Sequence, residues 1–184
     1  MSRLLLVRHG QTAWNAIGKL QGHTDIELDD TGRAQARDLA ITLATANLAT
    51  VWTSDLARAR QTGEIIAAAL GLAPPRVEPT LRERAFGVFE GLTRDECMAR
   101  FPDAWTAWVA HNGSPPGGED RAAAIARMST ALARIAGEPG PALVVTHGGV
   151  MRLWLTDVVD PTVTMIKNGA VFVLEHDGAA FRRA

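Results

Sequence analysis

The chain has 184 residues, with nineteen basic and twenty acidic side chains and a formal net charge of -1 at pH 7. That length suits one domain, residues 1–184, with a buried core, and the charge balance leaves no global field to draw nucleic acid or an anionic membrane, so anion binding has to be local. The one cysteine, Cys97, has no internal disulfide partner, which fits a reducing compartment.

The amino-terminal run Leu4-Leu5-Leu6-Val7 is too short for a secretory signal, and no stretch approaches the roughly 20 apolar residues that span a bilayer, so a cytoplasmic address is expected. That run is short, continuously apolar and stopped by Arg8-His9-Gly10, which predicts a buried strand. A polar, glycine-containing loop is expected from Gln11 to Asp30, then a helix from about Arg33 to Ala46 capped by Asp30 or Thr31. Thr50–Thr53 reads as a second strand, followed by Ser54-Asp55 and a helix over Leu56–Leu70 with Gly71 closing it. Pro74-Pro75 breaks the chain before a short strand at Arg76–Glu78. Helical segments are expected over Leu92–Phe101 and from Pro102 through Trp105 and Trp108, with a loop at Asn112–Gly118. Asp120 caps an alanine-rich helix to Ala136; Ala142–Thr146 is the clearest strand; a helix runs through Leu155; Val171–Leu174 is a late strand. Strands alternating with helices predict an α/β/α sandwich on a mostly parallel sheet.

Two of these strands end alike, in Val7-Arg8-His9-Gly10 and Val145-Thr146-His147-Gly148. Ligands of open α/β sheets sit beyond the carboxyl ends of the strands, and a following glycine lets the backbone approach closely. A third strand ends at Ser54-Asp55 and feeds a helix whose first turn carries Arg58. Helix amino termini and arginine forks both favour phosphate, the first through free N–H groups and the second through bidentate hydrogen bonds. Arg58 and Arg60 point in different directions at helical spacing, which assigns Arg58 to the site and Arg60 to the surface.

The block Leu6-Val7-Arg8-His9-Gly10-Gln11-Thr12-Ala13-Trp14-Asn15 resembles the opening signature of the histidine phosphatase superfamily, also called phosphoglycerate mutase-like. The resemblance continues through Gln21–Asp25, Leu28 and Gly32; Ser54–Thr62; Leu81–Glu83 with Gly87 and Glu90-Gly91; Gly117–Glu119; and Thr146–Gly149. These blocks keep the family's order over nearly the whole chain. One departure is Asp120, where relatives typically carry serine; both residues cap helices through a side-chain oxygen.

The resemblance implies roles at matching positions. His9 would attack phosphorus with a neutral ring nitrogen. Arg8, Arg58 and His147 would clamp the non-bridging oxygens. Glu83 would protonate the leaving oxygen and then, as carboxylate, activate water. It has to hold a proton when ester binds, and the phosphate's own charge would favour that. Asn15 resembles a further phosphate donor, and Gln21, Gly22, Arg84 and Gly148 fall on the substrate side. The implied activity is a metal-independent phosphatase acting on a small phosphorylated metabolite, with no cofactor. Relatives of this size include broad-specificity phosphatases, α-ribazole phosphatases and hydrolases of sugar or glycerate phosphates.

Two alternatives belong to the same fold. A cofactor-dependent mutase shares the chemistry and resembles this chain at Glu83-Arg84, but carries a long insertion that covers the site, whereas Gly91 and Gly117 are joined here by a short segment. An inactive phosphate- or phosphoprotein-binding module should have lost the nucleophile, an arginine or the acid, and this chain keeps them. For Glu83, flanked by Arg82 and Arg84, a surface ion-pair cluster competes with the catalytic reading. His23 sits in a loop that is as much a substrate-contact candidate as not; His111 and His176 read as structural or exposed; Trp105 and Trp108 read as core or lid packing. No His-Glu-x-x-His or Cys/His spacing points to a metal. Oligomeric state, a homodimer included, is not legible.

Overall fold

Alternate residues of the central strands face opposite layers, and that period-2 pattern divides the interior of this computed structural model, which describes residues 1–184. Leu4 and Leu6 of β1 (Ser2–Arg8) and Val144 of β4 (Ala142–Thr146) face one apolar cluster, whereas Leu5 and Val7, with Leu143 and Val145, face another. The first cluster is closed by α6 (Arg121–Ala136) and α7 (Gly148–Val158), and the second by α2 (Asp30–Leu43) and α3 (Ala57–Ala69). The result is the expected three-layer sandwich.

With β2 (Thr50–Thr53), β3 (Arg76–Val77), β5 (Val171–His176) and β6 (Phe181–Arg183), the sheet has six strands in the order β3-β2-β4-β1-β5-β6. The β3–β2, β2–β4 and β4–β1 pairs are parallel, and β1–β5 and β5–β6 are antiparallel. The register pairs Arg8 with Thr146 and Thr53 with Val145, so the three strands end level with one another. Parallel central strands covered on both faces explain why they read as unbroken apolar runs.

The structure corrects several boundaries. The expected loop from Gln11 contains a one-turn helix, α1 (Ala13–Ala16), held by a capping box between Thr12 and Asn15. The cap of α2 is Asp29, whose Oδ1 accepts from Gly32 N, and the helix starts and stops three residues earlier than expected. Thr93 caps α4 (Arg94–Arg100) by a second capping box, so that helix begins after Leu92. α5 (Pro102–Val109), the Asp120 cap and Gly71 in a left-handed conformation follow the expectation. The short β6 carries too few residues to show a period and was not anticipated.

A third, smaller apolar cluster forms outside the sheet layers. Phe86, Phe89, Cys97 and Trp105 pack together, with Leu20, Phe101 and Trp108 against them. Edge-to-face contacts of Phe89 with Trp105 and Trp108, at ring-centroid distances of 5.5 and 5.6 Å, fix the segment between β3 and α6 beside the strand ends.

Candidate active site

The level strand ends bring His9 and His147 side by side. Backbone N–H of His9 donates to Thr146 O at 3.0 Å, and the two rings lie 5.1 Å apart between centroids. His9 Nδ1 is 2.6 Å from Gly10 O, a carbonyl that only accepts, so the ring proton sits on Nδ1 and Nε2 keeps its lone pair. Burial, then the charges of Arg58 and Arg8, hold the His9 pKa well below its ordinary value of 6.5, despite the Gly10 contact; the ring is neutral at pH 7. The loop that carries it is tied down by Gly10 N to Thr62 Oγ1 and by Asn168 Nδ2 to His9 O. A Cβ on Gly10 would stand 2.5 Å from Gly32 O, so only glycine fits where the loop meets α2.

Two arginines converge on this pair. Arg58 is fully buried and donates from Nη1 to Thr24 O, from Nη2 to Gly22 O and from Nε to His147 Nδ1. Burial pushes its pKa down to about 10, which leaves it charged at neutral pH. Arg8 donates from Nη1 to Ile166 O, while its Nε is buried without a partner. Gly148 lies against that guanidinium: a Cβ there would be 2.9 Å from Arg8 Nε.

Glu83 is buried and accepts from Arg84 N, Gly149 N and Val150 N at 2.6–2.8 Å. It is no surface ion-pair cluster: Arg82 pairs with Asp55 instead, and Arg84 donates to Glu119 O and Ser114 Oγ. Arg127, which sequence reasoning did not single out, holds the backbone beneath it by donating to the carbonyls of Thr80, Arg82 and Glu83. Gly149 leaves room for this carboxylate, since a Cβ there would meet Glu83 Oε1 at 2.7 Å and push it aside.

One expectation needs correcting, and one site residue is more tightly held than its motif shows. The amino terminus of α3 was expected to present free N–H groups to phosphate, but its first N–H, of Ala57, donates to Asp25 Oδ1, and Gly149 N and Val150 N in the first turn of α7 donate to Glu83. His147 is fully buried with both ring nitrogens engaged, Nδ1 by Arg58 and Nε2 by Ser54 Oγ at 2.6 Å.

A cavity of about 430 Å³ opens over these groups, lined by Arg8, His9, Arg58, Glu83 and all of Asn15, Gln21, Gly22, Arg84 and Gly148. Asn15 Oδ1 accepts from Thr12 N and Asn168 Nδ2, which leaves its amide nitrogen as the group offered to the cavity. His23 is not in the lining; its Nε2 contacts Glu83 O at 2.8 Å, and its backbone N–H is held by Glu90. Arg60 is exposed, as expected. His176 packs on Phe181, and Trp105 is core, but Trp108 and His111 reach the cavity wall. Lys19, Arg152, Met165 and Ile166, all on that wall, carried no local sequence signal. No group of three or more His, Cys, Asp or Glu side chains is arranged to hold a metal ion.

A family model described as the histidine phosphatase superfamily (branch 1) matches residues 4–183. The chain belongs to the histidine phosphatase superfamily. It is 41% identical over 157 residues to phosphoglycerate mutase-like protein 4 of Arabidopsis thaliana, covering 82% of this chain and 68% of that one. A metal-independent phosphoserine phosphatase of the same plant is 37% identical over 161 residues, with 83% of this chain and 66% of that one covered, so the chain spans about two thirds of these two relatives. A mycobacterial glucosyl-3-phosphoglycerate phosphatase, solved as a complex with VO3, superposes with a TM-score of 0.88 at 31% identity over 99% of this chain and 96% of that one. Membership and these phosphatases make the chain a histidine phosphatase of the phosphoric monoester hydrolase class. No helix is long and apolar enough to cross a membrane.

Proposed function

We propose that this histidine phosphatase hydrolyses monoesters of small phosphorylated metabolites through phosphohistidine on Nε2 of His9, with no metal or cofactor. The observation that carries this reading is the Nδ1–Gly10 O contact, which leaves a neutral ring with its Nε2 lone pair free between Arg8 and Arg58.

In the first step Nε2 forms a bond to phosphorus while the ester P–O bond breaks and the departing oxygen takes a proton from Glu83. Arg8, Arg58 and Asn15 hold the non-bridging oxygens. In the second step the Glu83 carboxylate takes a proton from water, the oxygen attacks phosphorus, and His9 leaves as neutral imidazole. Gln21, Gly22, Arg84 and Gly148 shape the rest of the wall. His147 acts through Arg58, whose Nε–H donates to its Nδ1.

Hydrolysis is favoured over mutase chemistry because the cavity wall ends in exposed side chains, Val109, His111 and Met165, that leave water a way in. The phosphatases among the relatives support the same reading. We take residues 1–184 as one catalytic domain, since the named groups come from across the chain, and place it in the reducing cytoplasm, where the buried thiol of Cys97 stays free. No second copy is needed to complete the site.

Turnover of p-nitrophenyl phosphate in excess EDTA tests the reading. Wild type should stay active, His9→Ala should lose at least about 10⁴-fold in kcat, and acid-labile, base-stable phosphate should be trapped on His9. Full activity in His9→Ala, or loss in EDTA, overturns it; conversion of one phosphoglycerate isomer to another, dependent on bisphosphoglycerate, would favour the mutase.

A further inference from the structure

The far wall of the cavity carries a guanidinium that the phosphoryl chemistry does not use. Gly148, Gly149, Arg152 and Leu153 of α7 all line the cavity, spaced so that they share one face of the helix. Arg152 therefore stands one helical turn, roughly 6 Å along the axis, beyond the glycine that touches Arg8. It is half-buried, yet it forms no ion pair and no side-chain hydrogen bond. The neighbouring arginines are all committed: Arg121 to Asp157, Arg84 to Glu119 O and Ser114, and Arg127 to Glu119. A half-buried guanidinium keeps its donors unpaired only at a cost, which an incoming acceptor removes.

The charge of the cavity points the same way. Arg8, Lys19, Arg58, Arg84 and Arg152 line it against a single acidic side chain, Glu83. A phosphoryl dianion neutralises only part of that excess, and Arg152 belongs to what remains. His111 borders the cavity in a left-handed backbone conformation (φ 60°) after α5, a position at which glycine is the usual occupant; the chain bears that strain and puts an imidazole on the wall. Trp108, Leu153, Met165 and Ile166 give the same cavity apolar lining.

We infer that Arg152 is a specificity-determining residue that binds a second anionic group, a carboxylate or another phosphate, on the alcohol of the substrate. Preferred substrates then have a short, partly apolar body with the scissile phosphate at one end and the second anion about one helical turn away. This rests on the hydrolase reading above.

The test compares kcat/KM for 3-phosphoglycerate, 1,3-propanediol bisphosphate and glycerol 3-phosphate in wild type, Arg152→Gln and Arg152→Lys. Wild type should prefer one or both doubly anionic esters over glycerol 3-phosphate by about tenfold or more, and which is preferred names the second anion. Arg152→Gln should collapse that ratio at least about tenfold, chiefly through KM, and Arg152→Lys should restore part of it, because lysine keeps the charge without the fork. The ratio does not depend on how much of a variant is folded. An unchanged ratio in Arg152→Gln, or no preference in wild type, overturns the role of Arg152 while leaving hydrolysis standing. No release of phosphate from any ester by wild type overturns the hydrolase reading and this inference with it.

Discussion

Arg58 donates from Nε to Nδ1 of His147 across 3.2 Å, and that contact decides where the histidine keeps its proton. A guanidinium only donates, so Nδ1 must accept, the proton sits on Nε2, and Nε2–H donates to Ser54 Oγ at 2.6 Å. Three side chains from two strand ends and one helix are thus locked in one protonation pattern beside His9. The only proton His147 can offer a bound phosphoryl oxygen is the one Ser54 now accepts.

Arg58→Lys should break this pattern, because a lysine cannot reach Thr24 O, Gly22 O and the ring together. We expect kcat to fall about 10²–10³-fold, the usual effect of removing one preorganised oxyanion donor. ¹⁵N spectra should show His147 as the Nε2–H tautomer in wild type and as a mixture in the variant. A single unchanged tautomer in Arg58→Lys would refute the coupling.

Glu83→Gln should separate the two chemical steps by leaving group. An amide cannot deliver a proton, so alkyl phosphates should lose about 10³–10⁴-fold in kcat/KM. p-Nitrophenyl phosphate, whose alcohol leaves without help, should lose much less in phosphohistidine formation, and the phosphoenzyme should accumulate because its hydrolysis lacks a base. Equal losses on both ester classes, with no phosphoenzyme build-up, would show that Glu83 is only a structural anchor for α7.

Gly32→Ala opposes two effects of different size. Position 32 is the third residue of α2, where alanine gains at most the roughly 1 kcal/mol over glycine that it gains in a helix interior. Here the new Cβ would stand 2.1 Å from Gln11 O, a backbone atom that cannot swing aside, and overpacking of that kind costs typically 1–3 kcal/mol. The clash should win, lowering the urea midpoint and, because the displaced segment adjoins His9-Gly10, lowering kcat as well. A stabilised, fully active Gly32→Ala protein would contradict this packing.

Stability should fall on the acid side of neutrality before the carboxylates titrate. Burial and the neighbouring arginines hold the His9 and His147 pKa values well below the 6.5 of an unfolded chain. From pH 6.5 down to those lower values the unfolded chain binds protons that the folded chain does not. Stability contributed by each neutral ring is complete above pH 6.5 and declines by about 1.4 kcal/mol per pH unit below it. Denaturation midpoints between pH 7 and 4.5 should show this slope, and His9→Asn should reduce it. Histidine C2–H resonances of both rings that titrate near pH 6.5 would remove the premise.

Element types and the three-layer architecture were legible because long segments repeat: β1 and β4 are uninterrupted apolar runs, and α6 shows a helical period behind an Asp120 cap. α1 was missed because four residues cannot display a period, and only the Thr12–Asn15 exchange of hydrogen bonds reveals it. The candidate site residues from Arg8 to Gly148 were singled out through ordered motifs, each a local pattern, and the fold gathers them in or beside one cavity. Arg127 and Asn168 were not, since the backbone carbonyls they hold in the site lie 44 or more residues away and no local pattern encodes that pairing.

The order of apolar and polar residues alone marks the main strands, their burial on both faces and the placing of His9 and His147 at strand ends, because strand period is a property of the chain's own pattern, whereas the pairing that makes those ends neighbours comes from the fold. Which donors remain for a ligand is decided only in three dimensions. Asp25 and Glu83 claim the helix amino termini, Arg58 and Ser54 claim His147, and Arg152 alone among its neighbours stays uncommitted. The reason is physical: a buried polar group takes whichever partner the fold brings within about 3 Å, and that distance is not written in sequence order.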